Sequence, residues 1–303
     1  MDMKNNDLMQ NAPAAAAEKP PKRKRHRMIV VVAVVLGAMV VGQLLGGLLV
    51  GLLAGAASAA LGGLSDGVWF VCTVYLPFLG IDLAILLYTR FAEREIFRSF
   101  GAGRGNTPGM FALGLLVGGG MNALCVLAAW AHGDLVFSFG RLDVPFLLFA
   151  LLAVCIQSGA EELLTRGYML GALRERYGAR VAIIANALLF MLLHLFNAGV
   201  TVLSLAVIAL VGLAYSLVVH FTGSLWFAVG AHTAWNFTQN LLFGLPNSGI
   251  VSASSLLHLD AARDSAFYNA AFGVEGAWPA ALVNALLALA ALLWARRRRQ
   301  AAQ

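Results

Sequence analysis

Charge is scarce in this chain. Asp, Glu, Lys and Arg make up only 12% of the 303 residues while hydrophobic residues make up 60%, and the mean hydropathy is +0.79. An ordinary soluble globular domain, with about 25% charged residues, is excluded. Cysteine is nearly absent as well. Cys72, Cys125 and Cys155 stand far apart without C-x-x-C spacing, so neither a disulfide framework nor a metal knuckle can be built from them. No repeat of fixed period occurs, and no H-E-x-x-H, which removes the helical zincin arrangement. The stretch "GLSDG" (Gly63 to Gly67) fits G-x-S-x-G, but no strand precedes it, so it reads as a chance match rather than a nucleophile elbow.

What the chain has instead is long apolar runs. Windows of about 19 residues find eight candidate spans, roughly 28–55, 68–89, 108–131, 145–165, 180–197, 201–220, 224–244 and 278–295. The expected fold is all-α: a polytopic membrane bundle of about eight transmembrane helices. It divides into a disordered basic tail (1–27), three N-terminal helices (28–143) and a core of helices four to seven (144–245). An external loop (246–276) able to hold a short interfacial helix follows, then a last helix with a second basic tail (277–303). An A-x-A at Ala57 to Ala59 follows the first apolar run, but that run is about twice the length of a signal-peptide core, so an uncleaved anchor is expected.

The net charge of +6 comes from those tails, "KPPKRKRHR" before the first span and Arg296 to Arg299 after the last. It is a topology signal and no footprint for nucleic acid. Eight spans return the C-terminus to the side of the N-terminus. Arg90, Arg94, Arg98 and Arg104, and then Arg174, Arg176 and Arg180, fall on that same side, against Arg141 and Arg263 on the other. Basic residues favour the cytoplasmic face, so the expectation is a multi-pass protein of the cell (inner) membrane with both termini cytoplasmic. Gly47, Gly51 and Gly55 form overlapping G-x-x-x-G spacings, which predict a close helix contact in the first span.

Against this background "SGAEELLTRG", residues 158–167, stands out. An ionisable group at bilayer depth costs at least about 2.5 to 3.5 kcal/mol, so paired glutamates there mark function. Neighbours on a helix point about 100° apart, which separates Glu161 from Glu162. Glu162 and Arg166 stand at i and i+4, the spacing of an ion pair, which leaves Glu161 without a local cation. The same spacing puts Phe190 and His194 of "FMLLH" on one face of the fifth span, and His232 and Asn236 of "HTAWN" on one face of the seventh. Gly178 in "RYGAR" suits a tight turn between the fourth and fifth helices. Glu161 lies 17 residues before it and His194 lies 16 after, so an antiparallel hairpin holds the two at nearly one height, about 25 Å from the turn. Asp82 is expected to bond within the bundle, and His220 to be an interfacial residue.

Those motifs carry a resemblance. "EELLTR", "FMLLH" and "HTAWN" resemble the E-E-x-x-x-R, F-x-x-x-H and H-x-x-x-N motifs of the CAAX protease and bacteriocin-processing family, which includes the prenyl-protein endopeptidase, and the resemblance covers about 150–245. It implies an eight-helix intramembrane endopeptidase. Carried over, Glu161 is the general base assisted by His194, and His232 and Asn236 form the oxyanion pocket, with Glu162, Arg166 and Phe190 supporting the site. The implied partners are the bilayer and a membrane-associated peptide or protein substrate. The same donors could instead hold zinc through Glu161, His194 and His232. Metal-independent catalysis is the expectation, because a metal would leave only Glu162 as a base. The alternative is a non-catalytic membrane scaffold or bacteriocin-immunity protein, against which stands the presence of all four residues. A transporter would carry broken helices in two similar halves, whereas here the polar groups fall in the second half alone.

Overall fold

A computed structural model describes residues 26–102 and 105–301. Most of the predicted disordered tail, residues 1–25, and Arg104 lie outside the described residues.

Helix α1 (Met28–Leu61) ends on Gly62, whose left-handed φ of 73° closes the helix. The second span is split. Ser65 caps α2 (Asp66–Val74), and Pro77 precedes α3 (Phe78–Ala92), since a helix rarely continues through the residue before proline. A short α4 (Arg94–Ala102) leads to α5 (Pro108–Ala131), which has the Thr107 cap and Pro108 at its first position. Strand β1 (Leu135–Phe139) follows, then α6 (Val144–Glu162), capped by Asp143. The rod continues as a π-helical segment, Leu163–Met169, into α7 (Leu170–Leu193).

Gly178, at φ 79° and ψ 166°, reverses α7. The side-chain amide of Asn186 consequently donates to the carbonyl of Thr165 at 2.7 Å, where a straight helix would hold residues 21 apart in sequence about 30 Å from each other. A capping box at Thr201 and Ser204 starts α8 (Val202–Thr222), and Ser224 caps α9 (Leu225–Phe237), which runs into a second π segment, Thr238–Leu242. Strand β2 (Leu257–Ala262) and a 3-10 turn (Val274–Gly276) precede α10 (Trp278–Ala301).

The chain is an all-α polytopic bundle. Among the described residues six helices are long and apolar enough to cross a membrane; the predicted fourth and fifth spans form one of them, the run Val144–Leu193, folded at Gly178. The predicted seventh span is a 13-residue helix prolonged by its π segment.

Two expectations are corrected. The 246–276 segment holds no interfacial helix. Its β2 pairs antiparallel with β1, from Leu135 opposite Ala262 to Phe139 opposite Leu257, with a bulge at Val136 and Phe137, and its 3-10 turn folds inward. Tyr268, Phe272, Val274 and Glu275 of this segment are buried, so it closes one end of the bundle. The glycine contact in α1 also uses other residues. Gly42 and Gly46 lie against Pro77, Gly80 and Ile81 of α3, whereas Gly47, Gly51 and Gly55 face open space.

Close approach also fixes α9, the helix bearing His232 and Asn236. A side chain at Gly114 or Gly118 of α5 would strike the backbone of Phe227 or Ala231, and one at Gly230 would strike Phe111. The two helices therefore run parallel with backbones nearly touching, as small-residue faces allow.

Candidate active site

Glu161 and Glu162 end α6 where the π segment begins, and π segments often mark functional positions. Glu162 is fully buried. Its Oε1 accepts from Arg166 Nη1 at 3.0 Å and from His232 Nδ1 at 2.9 Å. The guanidinium of Arg166 lies 4.1 Å from the ring centroid of Phe190 and 5.8 Å from that of Tyr215, so two aromatic faces enclose a cation whose charge Glu162 balances.

Glu161 is partly exposed to the cavity. Its Oε1 accepts from Gln157 Nε2 at 2.6 Å, and its Oε2 lies 3.8 Å from Nε2 of His232. The two glutamates thus face opposite nitrogens of one imidazole. The 100° between neighbouring helical positions does not keep them apart, because the ring of His232 reaches across the gap.

His194 stands just past the end of α7, at Leu193, rather than inside a helix reaching 197. Its Nδ1 donates to the Phe190 carbonyl at 2.8 Å, and the rings of Phe190 and His194 are 4.8 Å apart. Nε2 is left as its other nitrogen. No hydrogen bond joins His194 to Glu161 among the described residues; the two meet only as walls of one cavity. Asn236 is buried, donates to Gln157 Oε1 at 3.0 Å and accepts from Asn247 Nδ2 at 3.1 Å.

The cavity, of about 230 Å³, is lined by Glu161, His194, His232 and Asn236 together with residues from most of the helices. It also takes in Asn247, Ser248 and Glu275 from the segment read as an external loop. Glu275 accepts from the backbone and hydroxyl of Ser248 and, at 3.0 Å, from Trp235 Nε1. Burial pushes its carboxyl above the ordinary range in spite of these donors. Ser248 itself adopts a φ of 47°, unusual for a non-glycine residue, and Asn197 Nδ2 holds its carbonyl at 3.0 Å.

The zinc arrangement does not fit this geometry. Among the described residues no three His, Cys, Asp or Glu side chains are grouped so as to hold a metal ion. The departure lies in the grouping and not in the imidazoles, since His232 and His194 each commit only Nδ1, to Glu162 and to the Phe190 carbonyl.

Residues 143–238, which span Glu161, Glu162, Arg166, His194, His232 and Asn236, match a family model described as Type II CAAX prenyl endopeptidase Rce1-like. The match covers 96 of the 303 residues, about a third of the chain, and is a resemblance over that segment. No curated protein and no solved structure matches the chain. That model describes a family of CAAX prenyl endopeptidases, and the chain that resembles it over these residues is a multi-pass membrane protein. The matched segment begins at the cap of α6 and ends at the second π segment. It contains Gln157 but neither Asn247 nor Glu275.

Ser65 of "GLSDG" serves as the cap of α2, a structural use. Asp82 lies on α3, with Oδ1 buried and without a hydrogen-bond partner among the described residues. The ring of His220 lies 4.9 Å from that of Phe221, tilted by 55°, near the end of α8.

Proposed function

We propose that this chain hydrolyses a peptide bond in a membrane-associated peptide or protein, using a water molecule that Glu161 activates. The observation that carries the reading is the convergence of Glu161 from α6, His194 from the end of α7, and His232 and Asn236 from α9 on one cavity.

Each group has a chemical task. Glu161 is the carboxylate with an oxygen, Oε2, open toward the cavity, which suits it to take a proton from water. The hydroxide so formed attacks the carbonyl carbon. His232, in its imidazolium form, donates Nδ1–H to Glu162 and turns Nε2–H toward the reacting centre, where it stabilises the oxyanion. Asn236 carries two amide protons on Nδ2. One is donated to Gln157, and the other is free for the same oxyanion. His194, with its Nε2 unused by Phe190, assists in holding the water. The proton taken by Glu161 then passes to the leaving amine, which completes the cleavage.

A cavity of about 230 Å³ accommodates several waters, each taking about 30 Å³, or a short extended peptide segment. The bilayer is the solvent in which the substrate reaches it, since apolar side chains such as Leu44, Leu48 and Leu52 cover the outward faces. Charge distribution supports a cell-membrane location with both termini cytoplasmic. The test is peptide-end proteomics on cells carrying the wild-type chain beside Glu161→Ala. New peptide ends present only with the wild type identify the substrate, and identical peptide ends contradict the reading.

A further inference from the structure

Four side-chain amides and carboxylates form a single file through the site. Asn247 Nδ2 donates to Asn236 Oδ1 at 3.1 Å, Asn236 Nδ2 to Gln157 Oε1 at 3.0 Å, and Gln157 Nε2 to Glu161 Oε1 at 2.6 Å. Both termini of the file are informative. It begins in the segment after α9 and ends on the proposed base.

The direction of each amide is set by its neighbours. The carboxylate of Glu161 can only accept, so Nε2 of Gln157 must face it and Oε1 becomes the acceptor, where the hydroxyl of Ser158 also donates at 3.2 Å. Oδ1 of Asn236 receives Asn247, which turns its NH₂ toward Gln157 and the cavity. Reversing any one amide would set donor against donor or acceptor against acceptor. Gln157, Asn236 and Asn247 are all buried, where an unmade hydrogen bond is costly, so the file holds one arrangement.

We propose that Gln157 is a positioning residue that ties the base to the oxyanion donor, with Asn247 as the anchor of the file. The inference rests on the reading of Glu161 as base and Asn236 as oxyanion donor. Gln157 touches neither substrate nor reacting atoms in that scheme. It holds Oε1 of Glu161 so that Oε2 faces the cavity, and by accepting one proton of Asn236 it aims the other. One residue therefore fixes the distance between the group that removes a proton and the group that receives negative charge. The segment carrying Asn247, beyond the family match, becomes part of the catalytic apparatus through the same bonds.

The experiment uses the purified full-length chain and an internally quenched peptide spanning a cleavage site mapped by the peptide-end comparison. Gln157→Met keeps the length of the side chain and removes both bonds. It should lower kcat by about 10- to 100-fold, the scale of a small misplacement at a reacting centre, with KM within about twofold. Asn247→Ala should lower kcat by a smaller factor. The loss in the double variant should be less than the product of the two single losses, as expected for members of one network. An unchanged kcat in Gln157→Met, a change confined to KM, or losses that multiply would overturn the proposal. If Gln157→Met does not fold, Gln157→Glu serves. It keeps the acceptor for Asn236 but sets a carboxylate against Glu161, and must show the same kcat loss. Wild-type cleavage no faster than that of Glu161→Gln removes the reading of Glu161 itself and the positioning role with it. A Glu161→Gln loss beside a fully active Gln157→Met removes the positioning role alone.

Discussion

Glu162 accepts a hydrogen bond from Nδ1 of His232 at 2.9 Å, although 70 residues separate them in the chain. The bond fixes which nitrogen of the imidazole faces Glu161, in the manner of a carboxylate that orients a catalytic histidine. Glu162 is therefore more than the partner of Arg166, and its two roles should be separable.

Glu162→Gln keeps the shape of the side chain and removes the charge that balances a buried guanidinium. Breaking a buried pair costs about 3 to 5 kcal/mol, so thermal unfolding should begin markedly lower. Cleavage per folded molecule should fall too, because the ring of His232 loses the carboxylate that orients it. A variant that unfolds at the wild-type temperature would contradict the first expectation, and one with full kcat the second.

Much of this was legible because it is local. The i and i+4 spacing of Glu162 and Arg166 survives in the structure at 3.0 Å, and Phe190 and His194 share a face as the same spacing requires. Gly178 makes the reversal that its neighbourhood suggests. Other features depend on partners far away in sequence. Gly42 and Gly46 have the same spacing as Gly47 and Gly51, so periodicity cannot say which face of α1 meets Pro77 and Gly80. Gln157 lies four residues before Glu161, a visible signal in an apolar span, yet its meaning depends on Asn236. Glu275 sits in a segment without periodicity, and nothing local announces that it turns inward to Trp235 and Ser248. The π segments after Glu162 and Phe237 have no composition that marks them.

Glu275 is expected to hold the closing segment shut. Glu275→Ala strands the backbone and hydroxyl of Ser248 and the indole of Trp235, and each buried donor left unmade costs about 1 to 3 kcal/mol. Limited proteolysis should cut the 246–276 segment faster in this variant than in Glu275→Gln, which retains one of the two acceptor oxygens. Equal rates in the two variants and the wild type would remove the latch.

The strands should loosen in acid. Burial pushes the Asp134 carboxyl up, but donors from Ser265 at 2.5 Å, His132 at 3.0 Å and Arg263 at 2.8 Å outweigh it and hold the group below the usual carboxylate range. A lowered folded pKa contributes stability above the unfolded value of about 3.9, and that stability is lost as pH falls through the folded value. Hydrogen-exchange protection of the Arg263 amide, bonded to the Asp134 carbonyl at 3.1 Å, should hold near neutrality and decline below about pH 4. Protection maintained down to pH 2 would contradict this.

Topology has its own test. A single cysteine introduced at Ser254 should react in intact cells with a membrane-impermeant maleimide, and one at Gln300 should react only after lysis, if both termini are cytoplasmic. The reverse pattern would invert the bundle.

The most direct measurement of all follows cleavage of the mapped, internally quenched peptide by purified wild-type chain and by Glu161→Gln, each with and without a strong zinc chelator. The wild type should cut at the same rate in both conditions. Glu161→Gln should unfold at the wild-type temperature yet lose at least about 10²-fold in rate, since a base is removed and the shape retained. Cleavage by Glu161→Gln at the wild-type rate would contradict the assignment of the base, and wild-type activity that vanishes with the chelator and returns with zinc would reassign Glu161, His194 and His232 as ligands.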